Sequence, residues 1–173
     1  MTVADPILNS KKNKLAKAYL FALTAKLNYA AQEPGSDFDG LGIDYQVINR
    51  LVGESRTVAS EAEQVNIQLK AVSITSSSML RKSDGFVEYN LNRELYPIGP
   101  NFYLVVVELL GDDAENTWIE YSDEQILLKK CAYFLKISEH LPAGFVKIPV
   151  TNMLTPDTFP TLFLNSTNKE EQI

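Results

Sequence analysis

Asp37-Phe-Asp-Gly-Leu-Gly-Ile-Asp44-Tyr-Gln-Val, answered downstream by Asn66-Ile-Gln68-Leu-Lys70, is the stretch whose reading decides the fold. Ile43, Tyr45 and Val47 alternate with Asp44 and Gln46, and Val65, Ile67 and Leu69 alternate with Asn66, Gln68 and Lys70. Alternate strand side chains point to opposite faces, so each segment predicts a strand with one apolar and one polar face. The polar run from Gly53 to Gln64 suits a long hairpin connection. If the two strands are neighbours with their apolar faces in the core, Asp44, Gln68 and Lys70 converge on the other face. A carboxylate, a side-chain carbonyl and an ammonium at one spot suit a divalent cation and a phosphate. Hard cations take oxygen ligands, and an ammonium steadies charge developing on a phosphate.

An Asp followed by (Glu/Gln)-x-Lys on adjacent strands resembles the PD-(D/E)XK nuclease superfamily. The pattern running from Asp37 to Asp44 and on to Ile67-Gln-x-Lys70 is similar to one branch of it. That branch includes the nuclease domain that bacterial anti-phage effectors join to a cyclic-nucleotide sensor. A weaker likeness continues through Trp118, residues 127–135 and Val146-Lys-Ile-Pro149-x-x-Asn152. The resemblance implies an α/β, restriction-endonuclease-like fold, with a central mixed sheet and a long N-terminal helix packed on it. It also implies metal-dependent hydrolysis of DNA phosphodiesters in a prokaryotic defence system. Asp44 and Gln68 are then the ligands of Mg2+ or Mn2+, and Asp44, Gln68 and Lys70 the catalytic residues.

Many relatives place a glutamate near the start of the first helix. No Asp or Glu occurs from Asn9 to Gln32 here, and Asn13 and Lys14 stand in that region. Asp37 and Asp39 are the acids nearest in sequence that could compensate. Two readings therefore stand side by side. One is a working nuclease; the other is a catalytically inactive nuclease-fold protein acting as a binding or assembly module. A Gln-x-Lys pair is also the ordinary polar face of a strand, and Asp-Phe-Asp-Gly an ordinary turn.

The 173 residues suit one domain, 1–173, with a core of its own. Apolar residues make up 45% and charged residues 22%, ordinary for a soluble globular protein. A net charge of −6 means that any DNA contact needs a local basic patch. The single cysteine, Cys131, excludes an internal disulfide and a cysteine-based zinc cluster. No leader-like apolar segment opens the chain and no apolar run spans a bilayer, so a cytoplasmic protein without membrane contact is expected. One small domain carries one site. Cutting a duplex is easiest with two, so a homodimer or a complex with a larger protein is expected.

Around this centre, Ser10 is positioned to cap a helix over residues 10–32, stopped by Pro34-Gly35. Leu15, Tyr19, Leu23, Leu27 and Ala30 give it a core face, leaving Lys11, Lys12, Lys14, Lys17 and Lys26 mostly off that face. Residues 73–83 read as a polar loop, 86–91 as a strand, and 93–100, with its two prolines, as an irregular crossover. Residues 102–110 predict a fully buried central strand. Residues 117–121 return from a turn at Gly111, and 126–137 fit either strand or helix. Residues 146–150 read as a short strand, and Thr155-Pro156-Asp157 as a helix start. His140 is the only histidine and reads as surface. Asp39-Gly-Leu-Gly42 lacks what a phosphate-cradling loop needs.

Overall fold

The computed structural model describes residues 6–35, 42–49, 64–73, 80–99, 101–111, 116–128 and 131–164. The expectations for Asp37, Asp39, the 53–63 connection, residues 74–79 of the expected loop and the tail beyond 164 lie outside the described residues, whereas residues 80–83 of that loop form a strand instead.

Helix α1 (Pro6–Lys26) starts with the proline whose fixed φ and missing N–H suit a first turn. It ends six residues before the expected limit because Asn28 adopts a left-handed conformation, φ 58°. Asn28 N–H then bonds to Ala25 O (3.2 Å) and Tyr29 N–H to Thr24 O (2.9 Å), the paired bonds of a Schellman cap. Freed of the helix, Ala30 becomes the first residue of strand β1 (Ala30–Gln32).

Strands β1, β2 (Tyr45–Ile48), β3 (Gln64–Ser73), β6 (Phe102–Leu109), β9 (Ala132–Lys136) and β11 (Met153–Leu154) form a six-stranded mixed sheet in the order β1-β2-β3-β6-β9-β11. β3 and β6 are parallel, and the other pairings are antiparallel. Strands β4 (Leu80–Ser83), β5 (Phe86–Leu91) and β10 (Gly144–Pro149) make a second sheet ordered β10-β5-β4. A ribbon of β7 (Ile119–Tyr121) and β8 (Ile126–Leu128) stands apart. Residues 126–137 thus resolve into two strands, β8 and β9. Residues 156–160 form turns, and only the short α2 (Thr161–Leu164) follows.

Two apolar layers flank the large sheet. On one face, Ala16, Leu20 and Leu23 of α1 pack with Val47, Ile67, Tyr103 and Val105. On the other, Val72, Leu104 and Val106 meet Val87, Tyr89 and Ile148 of the small sheet. Every residue of β6 is buried, which is why this strand reads as an apolar run broken only by Glu108. Each of its apolar side chains contributes roughly 1.5–3 kcal/mol on leaving water. The parallel β3–β6 pair requires a crossover, and a β4–β5 hairpin stands in that connection where βαβ units carry a helix.

The small sheet changes the expected character of β3. Its Asn66–Gln68–Lys70 face is not uniformly solvated, because Gln68 is 1% exposed. Where the small sheet does not reach, a row of amides continues. Gln32 Nε2 donates to Gln46 Oε1 (3.2 Å), and Gln46 and Gln64 both donate to Asn66 Oδ1 (3.3 and 3.1 Å). This row follows the register Gln32↔Gln46↔Asn66 and ties β1, β2 and β3 together. One further correction concerns α1, whose Lys12 is buried and donates from Nζ to Ser73 Oγ at 3.0 Å.

Candidate functional site

β2 begins at Tyr45, opposite Ile67, whereas β3 runs on to Ser73. From Leu69 onward, β3 therefore offers backbone groups on its β2 side that no rung of the β2 ladder meets. Asp44 fills the next rung. Its N–H donates to Ile67 O (2.9 Å), and its Oδ2 accepts the Leu69 N–H at 2.7 Å. A carboxylate taking a backbone N–H forms a charge-assisted bond, stronger than a neutral one. The same Oδ2 lies 3.7 Å from Lys70 Nζ, with both side chains about a third exposed (38% and 33%). Among the described residues Asp44 Oδ1 takes no hydrogen bond. An ion pair this exposed adds only about 0–1 kcal/mol to stability, so fold stability does not account for the pair.

Extending the β2–β3 register by one step sets Asp44 opposite Gln68. Gln68, however, does not line the open cleft that holds Asp44 and Lys70; it lies beneath it. Neither Oε1 nor Nε2 has a hydrogen-bond partner among the described residues. The wall between is Gly42, at φ +80°, a conformation that L side chains rarely adopt. A Cβ there would come within 3.3 Å of Gln68 Nε2 and 3.2 Å of Arg93 Nη2. Gly42 thus allows the Gln68 amide and the Arg93 guanidinium to close in from either side.

The cleft has a volume of about 520 Å³. It is lined by Asn13 and Ala16 of α1, by Glu33, by Gly42 to Tyr45 and Leu69–Lys70, and by Arg93. Arg93 is held there by a neighbouring bridge, in which Leu95 and Leu141 exchange backbone bonds of 2.9 Å in both directions. Sequence reasoning missed both Arg93 and Glu33. Neither stands at a motif spacing from Asp44 or Lys70, and only the fold brings them in. Glu33 is paired with Lys17, whose pKa is raised above the usual lysine value by that hydrogen bond. Lys17 also lies over the Tyr45 ring, 5.9 Å from its centroid.

The donor types suit a small hard cation, although Gln68 lies outside the cleft that Asp44 lines. Asp44 brings a carboxylate and Gln68 an amide oxygen, while among the described residues no group of three or more His, Cys, Asp or Glu gathers. Mg2+ is held through one or two carboxylates, with water and substrate phosphate completing its shell, and does not require an all-protein cage. The buried, unpartnered Gln68 amide is the observation behind this fit, because buried polar groups are ordinarily satisfied.

Outside the cleft, His140 is exposed as expected, stacked on Tyr96 at 4.6 Å and 3.3 Å from Glu94 Oε2. Cys131 is half-buried and its Sγ donates to the Tyr133 hydroxyl at 3.3 Å. No described helix is long and apolar enough to cross a membrane. Compared with known protein families, with curated proteins and with solved structures, the chain finds no match.

Proposed function

We propose that the chain is a metal-dependent nuclease of the PD-(D/E)XK type, with a restriction-endonuclease-like fold, that hydrolyses DNA phosphodiesters in a prokaryotic defence system. The observation carrying this reading is the junction at which β2 gives out. One carboxylate there satisfies an open backbone N–H, pairs with Lys70 and sits above a buried amide that lacks a described partner. Asp44 and Gln68 would hold Mg2+ or Mn2+, which when bound polarises a phosphate and lowers the pKa of its water. The chain's own residues set the geometry. The Leu69 N–H fixes the Asp44 carboxylate, and that carboxylate in turn keeps the Lys70 ammonium in the cleft. A donor fixed in place before reaction stabilises charge that develops on the phosphate without reorganising. Arg93 supplies a second cation in the cleft.

The test is cleavage of supercoiled plasmid with Mg2+ or Mn2+ against a chelator control, for wild type and Lys70→Ala. Metal-dependent cutting lost in Lys70→Ala is the expected result. Uncut plasmid with either metal, from folded protein, sinks the nuclease reading.

A specific observation favours a second reading, a non-catalytic module of the same fold. Of the two carboxylates lining the cleft among the described residues, Glu33 is paired with Lys17 and Asp44 with Lys70, so each already has a cation. Binding of duplex DNA without cleavage would select it. If the site cuts both strands, a symmetric homodimer or a larger partner supplies the second site. Light scattering that shows a strict monomer, with nicking as the only activity, counts against the dimer.

A further inference from the structure

The cleft does not stop at Asn13 and Tyr45. A second depression of about 400 Å³ begins at these same two residues and runs along the outer face of α1, past Asn9, Ser10, Lys14 and Lys17. Ser10, Lys14 and Lys17 follow one another at helical spacings of four and three, and Asn13 precedes Lys17 by four, so they share a face. Across both depressions the described lining carries four cations (Lys14, Lys17, Lys70, Arg93) against two carboxylates (Glu33, Asp44). That local balance is opposite in sign to the chain's −6. Lys14 is exposed, and neither Lys14 nor Arg93 has an ion pair among the described residues. Beside the cations stand neutral hydrogen-bonding groups on Asn9, Ser10 and Asn13. Ammonium and neutral polar groups together along a groove suit a row of phosphates, since most protein–DNA hydrogen bonds go to phosphate and sugar oxygens.

We infer that the joined depressions are a track for the sugar–phosphate backbone of DNA, with Lys14 gripping a phosphate along α1 and Arg93 one at the Asp44–Lys70 cleft. The choice of ligand rests on the nuclease reading; the track itself rests on the charge and continuity of the groove. The Lys17–Glu33 pair gives the track a built-in brake. While Glu33 holds it, Lys17 contributes little net charge, and removing that carboxylate releases a further cation to the backbone.

The experiment measures the affinity for a fluorescein-labelled 20-base-pair duplex in chelator, across a range of salt concentrations. Wild type is compared with Lys14→Gln, Arg93→Gln, Glu33→Gln and a control, Lys26→Gln. Lys26 is exposed in the last turn of α1 and lines neither depression. Each phosphate contact contributes about 0.9 to the slope of log affinity against log salt. Lys14→Gln and Arg93→Gln should each flatten the slope by about that amount and weaken binding roughly eightfold at 0.1 M salt, the factor one contact gains relative to 1 M. Glu33→Gln should bind more tightly with a steeper slope, and Lys26→Gln should match wild type. Slopes unchanged in Lys14→Gln and Arg93→Gln, or flattened equally in Lys26→Gln, overturn the track. Plasmid cleavage by the same proteins keeps the two readings apart. Cutting that persists with an unchanged KM in Lys14→Gln removes the track and leaves the nuclease. Salt-dependent duplex binding that needs Lys14, without any cutting, keeps the track and removes the nuclease.

Discussion

Replacing Gln68 sets stability against function at a single buried amide. Its side chain is 1% exposed, and neither polar atom has a partner among the described residues. A buried polar group left unsatisfied costs about 1–3 kcal/mol. Leucine at this position joins the apolar layer of Leu104 and Ile43 and removes that cost, while losing some side-chain volume. Gln68→Leu is therefore expected to raise stability by about 2 kcal/mol, the middle of that range. In urea, with a slope of about 2 kcal/mol/M for a small protein, the midpoint should rise by about 1 M. In a thermal melt the rise should be roughly 4–8 °C for a chain of this size. The same variant should lose any stabilisation by Mg2+ or Mn2+ and lose cleavage. Gln68→Glu supplies the opposite sign. A carboxylate buried without a cation is disfavoured in its charged form, so this variant should melt below wild type in chelator and recover more than wild type when Mg2+ is added. A Gln68→Leu protein destabilised by more than about 1 kcal/mol would mean that the amide makes bonds worth keeping, which refutes the reasoning. A Gln68→Glu protein indifferent to Mg2+ would remove Gln68 from the ligand set.

Lys70→Ala should reduce cleavage by roughly 10²-fold or more, by analogy with other preorganised donors, and leave the urea midpoint within experimental error, because its ion pair is exposed. Asp44→Asn should also abolish cleavage, measured on plasmid, while its amide still reaches the Leu69 N–H; retained cutting in either variant would reduce the pair to a polar strand end. Gly42→Ala should destabilise by about 1–2 kcal/mol from the left-handed φ alone, read by urea unfolding, and further through its contacts with Gln68 and Arg93; an unchanged midpoint would show that the turn relaxes freely. Burial, followed by the hydrogen bond with Cys131, raises the Tyr133 pKa above the usual tyrosine value. A phenol raised in the folded state contributes stability that is complete below its unfolded pKa of about 10 and lost as pH climbs above it. Stability followed from pH 8 to 11 should therefore fall at the alkaline end, and fall less in Tyr133→Phe; parallel curves would contradict the assignment.

Local periodicity carried much of the architecture. The alternation around Tyr45 and Ile67, and the nearly continuous apolar run of β6, are direct consequences of which strand faces leave water, so they are legible in a one-dimensional pattern. The pairing of Asp44 with Lys70 was legible too, because register follows once two alternating strands are set side by side. The limits of α1 were not. They rest on Asn28 taking a left-handed conformation, which the lysine- and alanine-rich helix before it does not announce. Nor did the pattern show that Lys12 is buried, since its ammonium is satisfied by Ser73, far along the chain at the end of β3. The burial of Gln68 was decided by packing: β5 and β10 meet this face of the large sheet at Val72, Leu104 and Val106, and Gly42 and Arg93 close on the amide itself, on a face that alternation alone assigns to solvent. Arg93 and Glu33 entered the cleft in the same way, through the Leu95–Leu141 bridge and the turn after β1. Period and composition describe a residue's neighbours within an element, whereas the residues that complete a site come from elements brought together only by packing. The sequence by itself determined the strands at the centre of the large sheet and the Asp44–Lys70 pair; the short strands at 30–32, 80–83 and 153–154, and what surrounds the pair, were decided by the tertiary structure, because short edge strands carry too little alternation to read.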